Sequence, residues 1–286
     1  MKSISAETAA VKSKQSPGVG LKRDIVRFCM KNGADLVGFA SPGRWDEFGE
    51  VPSAYRPRAV WPKVQTVIVI GMQMPLPIVE TTPSTQHMEL YRTVNRALDR
   101  LAYDLARFLN RRGHASIFFS RDGYGSLKAL KDKPVAAFSH VMAAKYAGLG
   151  TIGLSHCLLT PAFGPRVRLV SVFTEAKIPP DSLIEGELCI KCGLCVRCCP
   201  RNALSMREDR VIGDYDKQAC LAMAEELTAG RRYPCGVCIK VCPVGEDRVL
   251  YGAKGSHSKY TREKDRLRAD PGNPEYRDWE HIRKHG

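Results

Sequence analysis

The chain has 286 residues, 44 basic and 30 acidic, for a formal charge of +14, and its 44% hydrophobic content is that of an ordinary globular protein. This excludes a chain too polar to fold and leaves room for one large domain, or a core domain with a small module. The basic excess suits nucleic acid, an anionic surface or an acidic partner without choosing among them, and no apolar run reaches membrane-spanning length, so no membrane span is expected.

In chain order, residues 1–20 read as a flexible basic leader with neither a signal-peptide core nor a twin-arginine pair, which points to a cytoplasmic chain. Leu21, Ile25, Phe28 and Cys29 share one face of a helix over 21–32 that Gly33 stops, with Cys29 as a core side chain. DLVGFA over 35–40 reads as a short strand. VQTVIVIGM over 64–72 is apolar on both faces and reads as a central strand covered on both sides. Tyr91, Leu98, Leu101, Leu105 and Leu109 recur at helical intervals over 88–112, ended by Gly113. Strands over 115–120 and 166–175, with a helix over 138–146 between them, continue the alternation to about residue 180, giving a layered α/β or α+β domain. The domain expectation is therefore a leader 1–20, an α/β domain 21–182, a ferredoxin-type domain 183–250 held by its metals, and a polar surface tail 251–286.

Eleven cysteines in a reducing compartment, several at CxxC spacing, indicate metal or redox chemistry rather than disulfides. Cys189, Cys192, Cys195 and Cys199-Pro200 form the C-x2-C-x2-C-x3-C-P run of two-cluster ferredoxins, in which the cysteine before proline ligates the other cluster. The second set is Cys220, Cys235, Cys238 and Cys242-Pro243. Crossing the fourth ligands gives one [4Fe-4S] cluster on Cys189, Cys192, Cys195 and Cys242, and another on Cys199, Cys220, Cys235 and Cys238. Four cysteines also make a closed zinc site, but the x2-x2-x3-CP run is specific to ferredoxins. Each cluster with its thiolates carries roughly two negative charges, so the loaded chain would carry about +10. Cys198 is the spare thiol inside the run.

Residues 147–168, AGLGTIGLSHCLLTPAFGPRVR, followed by VFTEAKIPPD and then the ferredoxin run, resemble the cobalamin-dependent iron–sulfur reductases. That group includes the epoxyqueuosine reductases and the catalytic core of the reductive dehalogenases, and the likeness covers about residues 21–245. It implies a nitroreductase-like, corrinoid-binding α/β domain with a two-cluster ferredoxin-like domain that reduces cobalt to nucleophilic Co(I) for removal of an oxygen or halogen substituent. An external electron donor, ferredoxin or flavodoxin, and tRNA or a modified nucleoside are the partners it implies. It also places Gly148, Gly150, Gly153 and Ser155 in a cofactor loop, where glycines let backbone amides approach a planar ligand; the other reading of that loop is a tight helix-to-strand turn.

Arg166 and Arg168 would then grip corrinoid carboxamides or an anionic substrate, or else lie on a solvated strand edge. Tyr91 is the preferred proton donor. Asp132 is the other candidate, two residues from Pro134, where the family's aspartate would fall. Leu154 stands where the family has lysine or arginine. His140 and His156 read as structural histidines, and Cys157 as a packing residue or a functional thiol. The alternatives are an electron-transfer protein without its own catalytic centre, and a nucleic-acid-binding module with structural clusters.

Overall fold

The computed structural model describes residues 17–121, 127–132, 135–252 and 257–285. Its strands are β1 (Leu36–Ala40), β2 (Thr66–Gln73), β3 (Ser116–Phe119), β4 (Thr151–Ile152), β5 (Leu158–Leu159), β6 (Val167–Thr174), β7 (Leu204–Ser205) and β8 (Asp214–Tyr215). One antiparallel sheet runs in the order β1-β2-β6-β3, and β4-β5 and β7-β8 are short separate ribbons.

The doubly apolar run becomes β2, the inner strand paired with β6 from Thr66 opposite Thr174 to Gln73 opposite Val167. Successive side chains alternate between faces. Ile68, Ile70, Val170 and Val172 pack with Ile25 and Cys29 of the helix Pro17–Lys31 and with Leu98, Leu101 and Leu105 of the helix Thr85–Asn110. Val67, Val69, Leu169 and Phe173 meet Trp45, Phe138 and Tyr146 on the other face. Both faces are covered, and the result is a mixed α/β fold whose sheet is antiparallel. The first helix starts at Pro17, so the last four residues of the expected leader are helical; residues 1–16 lie outside the described residues, as does Pro134.

Two short helices, Leu194–Arg197 and Val237–Val241, organise the ferredoxin part. Each is entered through a glycine in the left-handed region, Gly193 (φ 70°) and Gly236 (φ 65°), a conformation costly to a side chain with a Cβ. The gap between Cys220 and Cys235 is filled largely by the helix Lys217–Ala229, where the Asp216 carboxylate accepts from the Ala219 N–H as an N-cap and Cys220 sits in the first turn.

The expected surface tail is corrected. Residues 257–285 form the helices His257–Ala269 and Arg277–His285, and Tyr260, Tyr276 and Trp279 are buried against Leu194 and Val241 of the ferredoxin helices, beside Cys192, Cys195 and Cys198. Three aromatics scattered among charges leave no apolar stripe to read, yet together they make a small core.

One buried polar cluster gives a pH prediction. His87, wholly buried, has Nδ1 3.0 Å from the Thr82 hydroxyl, which itself donates to the Cys235 carbonyl, so Nδ1–H is the donor to Thr82. Burial pushes the ring down to about 4. Below about pH 6.5 the unfolded chain takes up a proton that the folded ring refuses, so this stabilisation is present at neutral pH and falls as pH drops toward 4. Between pH 7 and pH 5 the parent is expected to lose about 2 kcal/mol more than His87→Gln in urea unfolding; parallel losses would show that His87 is not the titrating group.

Candidate functional site

Cys189, Cys192, Cys195 and Cys242 line a single cavity, whose wall is completed by Gly153, Leu154, Ser155 and Leu159 of the glycine loop. Cys242, although it ends the second CP set, sits with the three cysteines of the first. Cys195 is pushed up to about 12 by burial, with the charges of Cys242, Cys192 and Cys189 adding to it. The remaining four gather separately. Cys235, raised to about 11 by burial, also feels Cys220 and Cys199, and Cys238 feels Cys235 and Cys220. The Cys199 Sγ accepts from the Ala203 N–H at 3.3 Å.

Among the described residues no three His, Cys, Asp or Glu side chains converge on a point suited to one metal ion. The first quartet lines one cavity instead, and iron–sulfur cubes are held by four cysteine thiolates. Soft thiol donors in fours fit that group. Because burial raises the thiols of Cys195, Cys235 and Cys242, metal uptake there must release protons.

A second cavity, of about 260 Å3, lies between the N-terminal half of β6, the start of the helix His140–Tyr146 and the ferredoxin; Arg168, His140, His156, Cys157 and Ile239 are in its wall. Cys157 shares hydrogen bonds with Cys238 and with Ser155, so this wall touches the second quartet. Both histidines are held by backbone. The His140 Nε2–H donates to the Ser120 carbonyl at 3.0 Å and the His156 Nε2–H to the Gly213 carbonyl at 2.8 Å.

The expected cofactor residues divide. Arg168 borders the cavity, donating from Nε to Asn95 Oδ1 at 2.9 Å and from Nη2 to the Tyr91 hydroxyl at 3.2 Å, with its guanidinium over the Tyr91 ring. Tyr91 itself is buried among Met74, Val79 and Tyr233. Asp132 ends the helix Leu127–Asp132 with its side chain exposed. The loop glycines make close contact with protein. A Cβ on Gly148 (φ 69°) would stand 2.0 Å from the Ser182 carbonyl oxygen, and one on Gly150 2.0 Å from that of Leu159; Gly153 faces the Leu159 side chain. The turn reading therefore accounts for glycine at these positions. Gly150→Ala is expected to cost about 1–3 kcal/mol in thermal unfolding; an unchanged midpoint would mean the loop has slack.

Arg166 is neither on a solvated edge nor free to grip a ligand. It is wholly buried, pairing through Nε and Nη2 with both Asp247 carboxylate oxygens at 2.6 Å and donating to the carbonyls of Ile239 (3.4 Å), Cys242 (3.1 Å) and Val244 (2.6 Å). All five guanidinium donors are engaged. Leu154 is buried beside the first quartet rather than in the 260 Å3 cavity. Sequence reasoning missed Asp247, which lies 81 residues from Arg166 and belongs to no motif.

Fold and sulfur arrangement together define the class: a mixed α/β layer joined to a ferredoxin-like region, of which residues 188–246 match the family described as a 4Fe-4S dicluster domain. Its homologues are epoxyqueuosine reductases and reductive dehalogenases. The chain is 23% identical over 252 residues to the epoxyqueuosine reductase of Bacillus cereus, covering 78% of this chain and 64% of that one. It is 30% identical over 202 residues to the tetrachloroethene reductive dehalogenase of Sulfurospirillum multivorans, covering 65% and 36%. This chain thus spans less than two thirds of either relative. Among solved structures, a reductive dehalogenase whose structure suggests a mechanism for B12-dependent dehalogenation shares the fold at TM-score 0.64 and 20% identity, over 95% of this chain and 39% of that one. A selenomethionine-labelled epoxyqueuosine reductase does so at TM-score 0.52 and 18% identity, over 78% and 65%.

Proposed function

We propose that the chain is an iron–sulfur reductase that carries one [4Fe-4S] cluster on Cys189, Cys192, Cys195 and Cys242 and a second on Cys199, Cys220, Cys235 and Cys238, and serves a corrinoid at the 260 Å3 cavity. The observation that carries this reading is the composition of the cavity wall: Ile239, next to Cys238, and Cys157, hydrogen-bonded to Cys238, face Arg168 from the α/β layer. In this reading the sheet is the nitroreductase-like, corrinoid-binding domain over about residues 21–182, the ferredoxin-type domain runs over 183–250, and the protein works in the cytoplasm. Among the described residues no helix is long and apolar enough to cross a membrane.

The cavity is below the roughly 300–1,000 Å3 of pockets that enclose drug-sized ligands, so Arg168, His140, His156 and Cys157 would contact only part of a corrinoid. There, a bound corrinoid would supply cobalt that, reduced to Co(I), acts as a strong nucleophile in removing an oxygen or halogen substituent. Arg168 would orient polar groups of the cofactor or substrate, and Tyr91, held against Arg168, is the proton source in reach of that side chain. Asp132 could serve only from the surface end of its helix. Gly148, Gly150 and Gly153 shape the loop, and Ser155 fixes Cys157. The +14 charge is compatible with a nucleic-acid substrate such as tRNA or a modified nucleoside within it, with electrons from an external ferredoxin or flavodoxin.

The test is anaerobic purification with cobalamin, followed by iron, sulfide and corrinoid analysis and EPR. Cluster signals together with a Co(II) signal are expected. Full iron content with no bound corrinoid would overturn the reductase and leave an electron carrier.

A further inference from the structure

A groove of about 860 Å3 opens between the two short ferredoxin helices and the helix His257–Ala269, and Cys198 and Cys199 form part of its wall. Four cations, Arg197, Lys240, Lys264 and Arg283, border it against one carboxylate, Glu263. That carboxylate is already shared: Lys240 Nζ lies 2.8 Å from it, and Arg283 is paired with it as well. Lys240 is buried, while Arg197 and Lys264 are exposed at the rim. The groove is therefore positively charged at its mouth, has two cysteines in its wall, and is built in part by the C-terminal helices.

We propose that an acidic one-electron carrier protein docks on this groove and reduces the cluster that Cys199 helps to hold, an inference that rests on the iron–sulfur reading above. Charge complementarity selects the partner: exposed Arg197 and Lys264 attract an acidic surface and raise its encounter rate. The location selects the reaction, because Cys199, a member of the second quartet, is among the groove's wall residues, so a docked carrier would sit beside that quartet. RNA fits less well. Single-stranded bases need exposed aromatic faces to stack on, and the aromatic ring in this wall, Tyr260, is buried. Each encounter moves one electron: the carrier is oxidised by one, the cluster is reduced by one, and no bond or proton changes hands.

The test uses the full chain loaded anaerobically with iron and sulfide, and a flavodoxin of net negative charge in its hydroquinone form as the probe. Stopped-flow bleaching gives the second-order rate of cluster reduction. Arg197→Glu with Lys264→Glu is expected to lower that rate at least about tenfold at low ionic strength and to flatten its salt dependence. Arg197→Gln with Lys264→Gln should lose less. Iron content and photoreduction by deazaflavin, which is too small to need the groove, should match the parent. Equal flavodoxin rates in parent and charge-reversed chains would overturn the proposal. So would an intact rate with weakened RNA binding, which would assign the groove to nucleic acid. Failure of the unaltered chain to take up iron would instead sink the reading on which the proposal rests.

Discussion

Asp247→Ala is expected to destabilise the protein by about 3–5 kcal/mol, the cost of leaving a buried guanidinium without its counter-charge. Arg166 and Asp247 are both almost wholly buried, and Arg166 precedes β6 while its partner follows the second cysteine set, so the pair ties the sheet to the ferredoxin. Arg166 also holds the carbonyl of Cys242, so the first quartet should lose iron before the second. Urea unfolding and iron analysis together check this. Arg166→Met combined with Asp247→Leu should recover only part of the stability, since it removes the unpaired charge but leaves the carbonyls of Ile239, Cys242 and Val244 without their donor. A single variant with parent stability would show that the pair is not what joins the two parts.

The second large effect concerns the crossing of ligands. Cys242→Ala should remove the same EPR and visible signal as Cys189→Ala, and Cys199→Ala the same signal as Cys220→Ala, each lowering iron from about eight to about four atoms per chain. The basis is that Cys242 lines the cavity of Cys189, Cys192 and Cys195, whereas Cys235 feels Cys220 and Cys199. If Cys242→Ala instead removed the signal lost in Cys238→Ala, the two quartets would have to be drawn again.

What could be read from the sequence depended on range. Cysteine spacing is local, and the ferredoxin arrangement supplies the crossing rule, so the two proposed quartets can be drawn without coordinates. The apolar doubling of β2 announced a strand buried on both faces for the same reason. Arg166 was misjudged because its role depends on Asp247, far along the chain, and a lone arginine beside a glycine-rich motif invites a ligand-binding interpretation. The glycines were recognised for the right property, close approach, but the surfaces approaching them are the carbonyls of Ser182 and Leu159. The C-terminal helices were not legible at all. Tyr260, Tyr276 and Trp279 gain their meaning only when the ferredoxin presents Leu194 and Val241 to receive them.

Those helices have a consequence for handling the protein in air. Tyr260, Tyr276 and Trp279 pack against the sulfur region at Cys192, Cys195 and Cys198 and cover part of that flank. A version shortened before residue 257 would keep every ligand cysteine yet leave that flank open to dioxygen, so its colour should bleach faster on exposure even where assembly under nitrogen succeeds.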